Sequence, residues 1–269
     1  VRGFVLATHF GPTLLVSAIA TILSLEIGLG PKSLLMFLVA ITGQCSIGWS
    51  NDAADAERDK LAQRIAKPIV GGLINQKTLW RSAQGAALLS AALSFFLGWE
   101  PALLYIVALA SAWSYNLVLK STALSPLPYA ISFGSLPAVI TLSADPPYWP
   151  PIAGILGAAM LGVGAHFINT LKDTASDHTA GVRGLPQRIG PQASLWIGAG
   201  TSAAAFIFLM TLGTPTPWTA TLWVLGFLNL VIIIGCGLTR NTDWAWRFTL
   251  TEAFLCVAVL VSSGSSLGH

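Results

Sequence analysis

Three carboxylates at helical spacing open the first polar interruption of an otherwise apolar chain. Asp52, Asp55 and Asp59 stand at i, i+3 and i+7, directly after an apolar run that ends near Trp49. On a helix they share one narrow face, and Glu57 points away. Carboxylates crowded in this way repel one another unless a cation sits among them. Mg²⁺ suits the oxygen set, because it is held by one or two carboxylates plus substrate phosphates and keeps several waters. The pattern returns far along the chain, where Asp173 and Asp177 (i, i+4) again follow an apolar run. Two acidic helix ends, each closing a long apolar segment, make a two-sided clamp for a magnesium-bound diphosphate.

Those five aspartates carry five negative charges, two Mg²⁺ ions offset most of them, and a bound diphosphate makes the total strongly negative again. Bases must balance the sum, and the same connectors supply them. Arg64 and Lys67 follow the first cluster, while Lys172, Arg183 and Arg188 flank the second. Arg grips phosphate oxygens bidentately and Lys acts as a point charge. Any one of these bases could instead serve topology alone. Polar groups also run into the segment before the second cluster, since His166, Asn169, Asp173 and Asp177 fall on one helical face. Such a face inside a bilayer lines the bundle interior or a wet cavity. The first cluster has a thinner version in Gln44 and Cys45, with Gly48 between them and Asp52. Helix-packing hydrogen bonds are the plainer account of Asn169 and Gln44, and close packing that of Gly48. For His166 a satisfied interior histidine is the simpler role.

The elements that position these groups are membrane spans. Only 9% of the residues are charged and 54% are hydrophobic, against a soluble average of about 25% charged. Apolar runs of about 20 residues recur from end to end, the length a bilayer-crossing helix needs. Continuous rather than alternating runs exclude a barrel, so the class is an all-α integral membrane protein. Nine spans are expected: Gly3–Leu25, Ser33–Ser50, Thr78–Gly98, Pro101–Leu119, Pro128–Ala144, Pro151–Leu171, Gln192–Leu212, Pro217–Leu238 and Trp244–Ser262. They form one bundle domain over 1–269, with a central cavity opening to the cytoplasmic side. The first run is too long for a signal-peptide core and lacks a clear cleavage site, so it is read as a span. Cys45, Cys236 and Cys256 lie in apolar runs and support neither a disulfide nor a zinc site. No basic stripe points to nucleic acid.

Orientation follows from Lys and Arg. With nine spans, Arg2, Arg58, Lys60, Arg64, Lys67, Lys77, Arg81, Lys120, Lys172, Arg183, Arg188, Arg240 and Arg247 share one side, and Lys32 alone is on the other. The positive-inside rule makes the rich side cytoplasmic, and both acidic clusters lie on it. The protein is therefore read as a multi-pass cell-membrane protein whose active site faces the cytoplasm.

With these residues in place, the chain resembles the UbiA superfamily of intramembrane prenyltransferases. Asn51-Asp52-x-x-Asp55-x-x-x-Asp59 is similar to the family's first aspartate motif, and Arg64 to Ile74, with Lys67-Pro68 and Gly71-Gly72, to its continuation. Asp173-x-x-x-Asp177 with Gly181-Val182-Arg183-Gly184-Leu185-Pro186 resembles the second motif and tail. Tyr115 with Lys120 resembles the tyrosine–lysine element, although the spacing of five departs from the common four. Gly184 also departs, standing where Thr is frequent, and Glu252 is an unusual lone carboxylate in the ninth span. Helix packing is the favoured reading of Glu252. The resemblance covers roughly residues 10 to 260.

It implies Mg²⁺-dependent ionisation of an allylic polyprenyl diphosphate and transfer of the prenyl group to a lipophilic or aromatic acceptor in the membrane. Asp52, Asp55, Asp59, Asp173 and Asp177 would be the metal ligands, with Asp52, Asp173, Asp177 and Tyr115 catalytic. Asn51, Arg64, Lys67, Lys120, Lys172 and Asn169 would meet the diphosphate. Trp49, Trp113, Phe133 and Phe167 are candidate aromatic walls for the allyl cation, since each such face stabilises a cation by about 0.5–2 kcal/mol, although aromatics in spans more often pack or anchor at the interface. A terpene cyclase on the same fold, a polyprenyl-phosphate phosphoribosyltransferase and a cation-coupled transporter share parts of the pattern. Against the last, both clusters sit at one face, whereas coupling sites lie near the midplane.

The topology is directly testable. Cysteines placed between Asp55 and Lys77, or between Thr174 and Arg188, should react with an impermeant label only from the cytoplasmic side. One beside Asp145 should react only from outside. Labelling of the two acidic connectors from opposite faces would end the clamp.

Overall fold

The computed structural model describes residues 1–179, 181–213, 215–262 and 267, with the side chains of 173–179 left aside. Among the described residues there are helices and no strands. They are α1 (Arg2–Ala7), α2 (Phe10–Glu26), α3 (Lys32–Ala54), α4 (Ala56–Leu61), α5 (Gln76–Ser94), α6 (Trp99–Leu117), α7 (Leu127–Leu142), α8 (Ile152–Thr179), α9 (Leu185–Ile189), α10 (Pro191–Met210), α11 (Pro217–Leu238) and α12 (Thr242–Ser262). Nine of these have sixteen residues or more. Five, α3, α8, α10, α11 and α12, are long and apolar enough to cross a membrane by length and composition, α8 over its Ile152–Lys172 part. The others fall short for visible reasons. α2 and α7 have 17 and 16 residues, α5 begins with Gln76, Lys77 and Arg81, and α6 has polar ends in Glu100 and Asn116.

Consecutive long helices pack side by side in the order α2, α3, α5, α6, α7, α8, α10, α11, α12, and α12 returns to α2. The ring is closed. Its main core holds Met36, Val39, Ile140, Phe206 and Cys256, drawn from helices on opposite arcs. The outer surface carries exposed Leu88, Phe96, Val107, Leu225 and Val231, apolar side chains that water would not favour. Local signals place the breaks. The Asn75 side chain accepts from the Lys77 amide (2.8 Å) to start α5, and Thr216 with Thr219 forms a capping box ahead of Pro217 in α11. At Gly190 a φ of +85° separates α9 from α10.

Two expected elements differ. The first span is broken into α1 and α2 at His9, whose φ of 51° is left-handed. A corner forms because the Trp49 indole donates to Thr8 Oγ1 (3.0 Å) and Thr13 Oγ1 donates to the Thr8 carbonyl (2.7 Å). Gly48 lets this corner close against α3, since a Cβ there would stand 2.7 Å from the Ala7 carbonyl oxygen. The acidic stretch after α3 is also bent rather than straight, with Asp55 between α3 and α4. Helical hydrogen bonds still bridge the bend, from the Asp55 amide to Asn51 O (2.9 Å) and the Asp59 amide to Asp55 O (2.8 Å). Helix α8 runs on past its apolar part. At 1.5 Å per residue its 28 residues reach about 42 Å, against a hydrocarbon core of about 30 Å.

Candidate active site

The bend at Asp55 keeps the three acids together and buries all of them. Asp52, Asp55 and Asp59 are 2%, 6% and 3% exposed, whereas Glu57 faces solvent and pairs with Lys60 (2.7 Å). Each buried acid has a base against it. Lys67 Nζ donates to Asp52 Oδ1 (2.6 Å), and His9 Nε2 lies 3.0 Å from the same oxygen. Lys120 donates to Asp55, with Arg58 also on that acid (3.2 Å). Arg64 reaches Asp59 (3.2 Å). Burial raises the Asp59 carboxyl above its ordinary range. Lys67 and Arg64 pull it down again, and Asp55 and Asp52 push it up. Lys120 lies on a 3₁₀ turn, Leu119–Ser121, beyond the end of α6, which is how a spacing of five from Tyr115 still delivers its ammonium. Its Nζ is 3.4 Å from Asn51 Oδ1.

The second acidic segment continues α8. Residues 173 and 177 lie on its last turns, and their side chains lie outside the described residues. Lys172 is exposed, with its ammonium 4.9 Å from the Trp246 ring centroid. Asn169 Oδ1 is buried without a partner among the described residues. The tail after α8 docks onto the turn that carries Lys120. Ser125 Oγ accepts from the Leu185 amide (3.0 Å) and lies 3.1 Å from His166 Nε2. Gly184 makes that docking possible, because a Cβ would sit 2.7 Å from the Lys120 carbonyl oxygen and 3.0 Å from Ser125 Oγ. The missing Thr at position 184 is thus a steric necessity in this chain.

Tyr115 stands in an aromatic group rather than alone. It meets Tyr129 edge-on (5.1 Å) and His166 (5.6 Å), and Tyr129 stacks near Phe133 (6.4 Å). Phe133 also lines a cavity of about 80 Å³, with Met36, Gln44, Ile47, Tyr105 and Ala112. That is well above the ~10–15 Å³ that admits one water. Its wall ends at Ile47, five residues or about 7.5 Å along α3 from Asp52, and at Ala112, three residues before Tyr115.

Several expected wall residues serve packing instead. Trp49 is hydrogen-bonded to the α1–α2 corner, Trp113 donates to Ser46 Oγ (3.2 Å), and Phe167 is buried in the interior. Gln44 faces the cavity, but Cys45 faces a separate groove between α3 and α5 with Ile41 and Trp49. Glu252 is a helix-packing group, accepting from Asn229 of α11 (2.6 Å).

Sequence reasoning passed over His9, Ser125, Tyr129 and Asn116. The last donates to the Ile47 carbonyl (2.9 Å) and Ser50 (2.8 Å), fastening α6 to α3 one turn before the acids. Polar residues inside apolar runs were the available signal. Among the described residues, no three acidic, histidine or cysteine side chains form a ready metal cage.

The sequence profile of the UbiA prenyltransferase family matches residues 5–261. The chain belongs to that family. No curated protein matches it in sequence. Solved structures repeat the fold at low identity. One is the apo structure of a UbiA homolog from Aeropyrum pernix K1, with a TM-score of 0.76, 19% identity, and 93% of this chain and 97% of that one covered. Another is a UbiA homolog from Archaeoglobus fulgidus bound to GPP and Mg²⁺, with a TM-score of 0.67, 14% identity, and 98% and 99% covered. The same homolog bound to DMAPP and Mg²⁺ has a TM-score of 0.69 at 15% identity, with 98% of each chain covered.

The Gly184 contact predicts that Gly184→Ala lowers the melting temperature by several degrees, since overpacking costs about 1–3 kcal/mol. Gly200→Ala, where an added Cβ meets nothing within 4 Å, should leave it unchanged.

Proposed function

We propose that the protein transfers a prenyl group from an allylic polyprenyl diphosphate to a lipophilic or aromatic acceptor in the membrane, with Mg²⁺ as cofactor. The observation that carries the reading is the position of three buried carboxylates, each against a base, about a turn and a half beyond an apolar cavity. Family membership and the prenyl diphosphates and Mg²⁺ bound by the Archaeoglobus fulgidus homolog support it. The nine long helices are read as nine spans, and the basic side, with the acids, as cytoplasmic.

The residues fit the metal. Asp52 Oδ2 is buried with no partner among the described residues, and the candidate donors are hard carboxylate oxygens. Asp52, Asp55, Asp59, Asp173 and Asp177 would hold it. When bound, Mg²⁺ supplies the Lewis acidity that neutralises charge growing on the leaving diphosphate. Lys67, Lys120 and Arg64 stand where diphosphate oxygens would arrive, with Asn51 and Asn169 orienting them and Lys172 at the rim. These donors stabilise the developing charge without reorganising at the moment the C1–O bond breaks. Tyr115, backed by Tyr129 and His166, presents ring density to the allyl cation. Phe133 and the apolar cavity keep water from the carbon chain. An electron-rich acceptor atom forms the new bond to C1, and a carboxylate, assigned to Asp177, takes the displaced proton.

The cavity also favours one other outcome. It contains no carboxylate, and Gln44, Tyr105 and Ser132 are its polar side chains, so the substrate's own double bonds could capture the cation. Mass spectrometry of products separates the two. With Mg²⁺ and prenyl diphosphate alone we expect little turnover and no cyclic hydrocarbon, and with a membrane lipid extract added a prenylated acceptor. Efficient formation of a cyclised terpene without acceptor would make the enzyme a cyclase.

Asp52→Asn should lower kcat roughly 100-fold or more while the protein stays folded, because an amide is no anionic ligand. Glu57→Gln should stay within about twofold, as expected for an exposed side chain. Equal losses at both positions would contradict the site.

A further inference from the structure

The α1–α2 corner is built against α3 one turn before Asp52, and it carries a side chain that the site as described does not use. Thr8 and Gly48 fix the corner by hydrogen bonding and close contact, and Phe4 packs edge-on against Trp49 (5.1 Å). At the apex His9 adopts a φ of 51°. Left-handed backbone is uncommon outside glycine, and it persists where the surroundings impose it. This conformation brings the imidazole Nε2 to 3.0 Å from Asp52 Oδ1.

The two oxygens of Asp52 have different fates. Oδ1 takes both His9 and Lys67, whereas Oδ2 is buried with no hydrogen-bond partner among the described residues. A carboxylate clamped through one oxygen cannot rotate, so the other is held in a fixed direction. Groups that hold a metal ligand from behind set its orientation, and losing one typically costs 10–100-fold in metal affinity. Lys67 is a poor permanent clamp if it must also meet diphosphate. His9 has no such second duty, and its side chain is exposed (41%), so its replacement disturbs little packing.

We propose that His9 is a positioning residue, which holds Asp52 Oδ1 so that Oδ2 is presented to the metal. The inference rests on the magnesium reading of the site and specifies how this chain prepares its first ligand. His9 touches neither substrate nor metal in this account.

The test is Mn²⁺ binding to the purified full chain, followed by electron paramagnetic resonance in the presence of a saturating, unreactive dimethylallyl thiolodiphosphate. His9→Ala should weaken Mn²⁺ binding by about tenfold or more. Affinity for the thiolodiphosphate at saturating Mn²⁺ should change less than about threefold. His9→Gln, whose amide can still donate to Oδ1, should recover most of the metal affinity, which a variant that merely unfolds the corner would not. Unchanged Mn²⁺ affinity in His9→Ala would overturn the proposal. So would a loss confined to the thiolodiphosphate, which would make His9 a diphosphate ligand. Absence of Mn²⁺ binding by the wild-type chain would overturn the magnesium reading itself, and this inference with it.

Discussion

Everything in this structure depends on keeping several negative charges buried at the edge of an apolar bundle. A charged side chain at the centre of a bilayer costs about 2.5–3.5 kcal/mol, and burial in protein is costly too unless the charge is paired. The chain meets that constraint by giving each acid of the first cluster a cationic partner, two from the connector after α4 and one from the turn beyond α6. Asp52 draws on Lys67 of the connector, Asp55 on Lys120 beyond α6, and Asp59 on Arg64. These pairs stitch three segments into one polar floor. The arrangement is both the fold's solution to desolvation and a ready set of donors for an anionic leaving group.

The same constraint accounts for the tight packing around the floor. Gly48 and Gly184 lie where backbone from another segment passes too close for a Cβ. One seats the α1–α2 corner on α3, and the other seats the tail after α8 on the turn bearing Lys120. Through Ser125 and His166, the position of that tail is linked to the base that holds Asp55. The two acidic segments are therefore mechanically connected through the turn that carries Lys120.

Much of this was legible in the sequence, because helix periodicity and lipid solvation are strong constraints. The shared face of Asp52, Asp55 and Asp59, with Glu57 outside, follows from spacing, and the extension of α8 follows from its polar face, whereas the bend at Asp55 that buries the acids does not. What spacing could not show was the break at His9. The run Gly3–Leu25 reads as one span although it holds His9, Gly11 and Pro12, and the break falls where Pro12 can sit in the first turn of α2, with contacts to Thr8 and Trp49 fixing the corner. Nor could it show which base faces which acid, since Lys67 and Lys120 reach their partners across 15 and 65 residues. Which of the four aromatics line the cavity and which pack was also out of reach of spacing. Trp49 and Trp113 have indole nitrogens that seek acceptors in an apolar interior, so they were drawn into hydrogen bonds instead of the cavity.

The central claim is that the acids after α3 and those at the end of α8 belong to one metal–diphosphate site. The most direct measurement is anomalous scattering from crystals grown with Mn²⁺ and an unreactive allylic thiolodiphosphate. The account predicts manganese within coordinating distance of Asp52 and of a carboxylate at position 173 or 177, with the diphosphate between the two segments. Manganese held by one segment alone, with the diphosphate remote from the other, would contradict it.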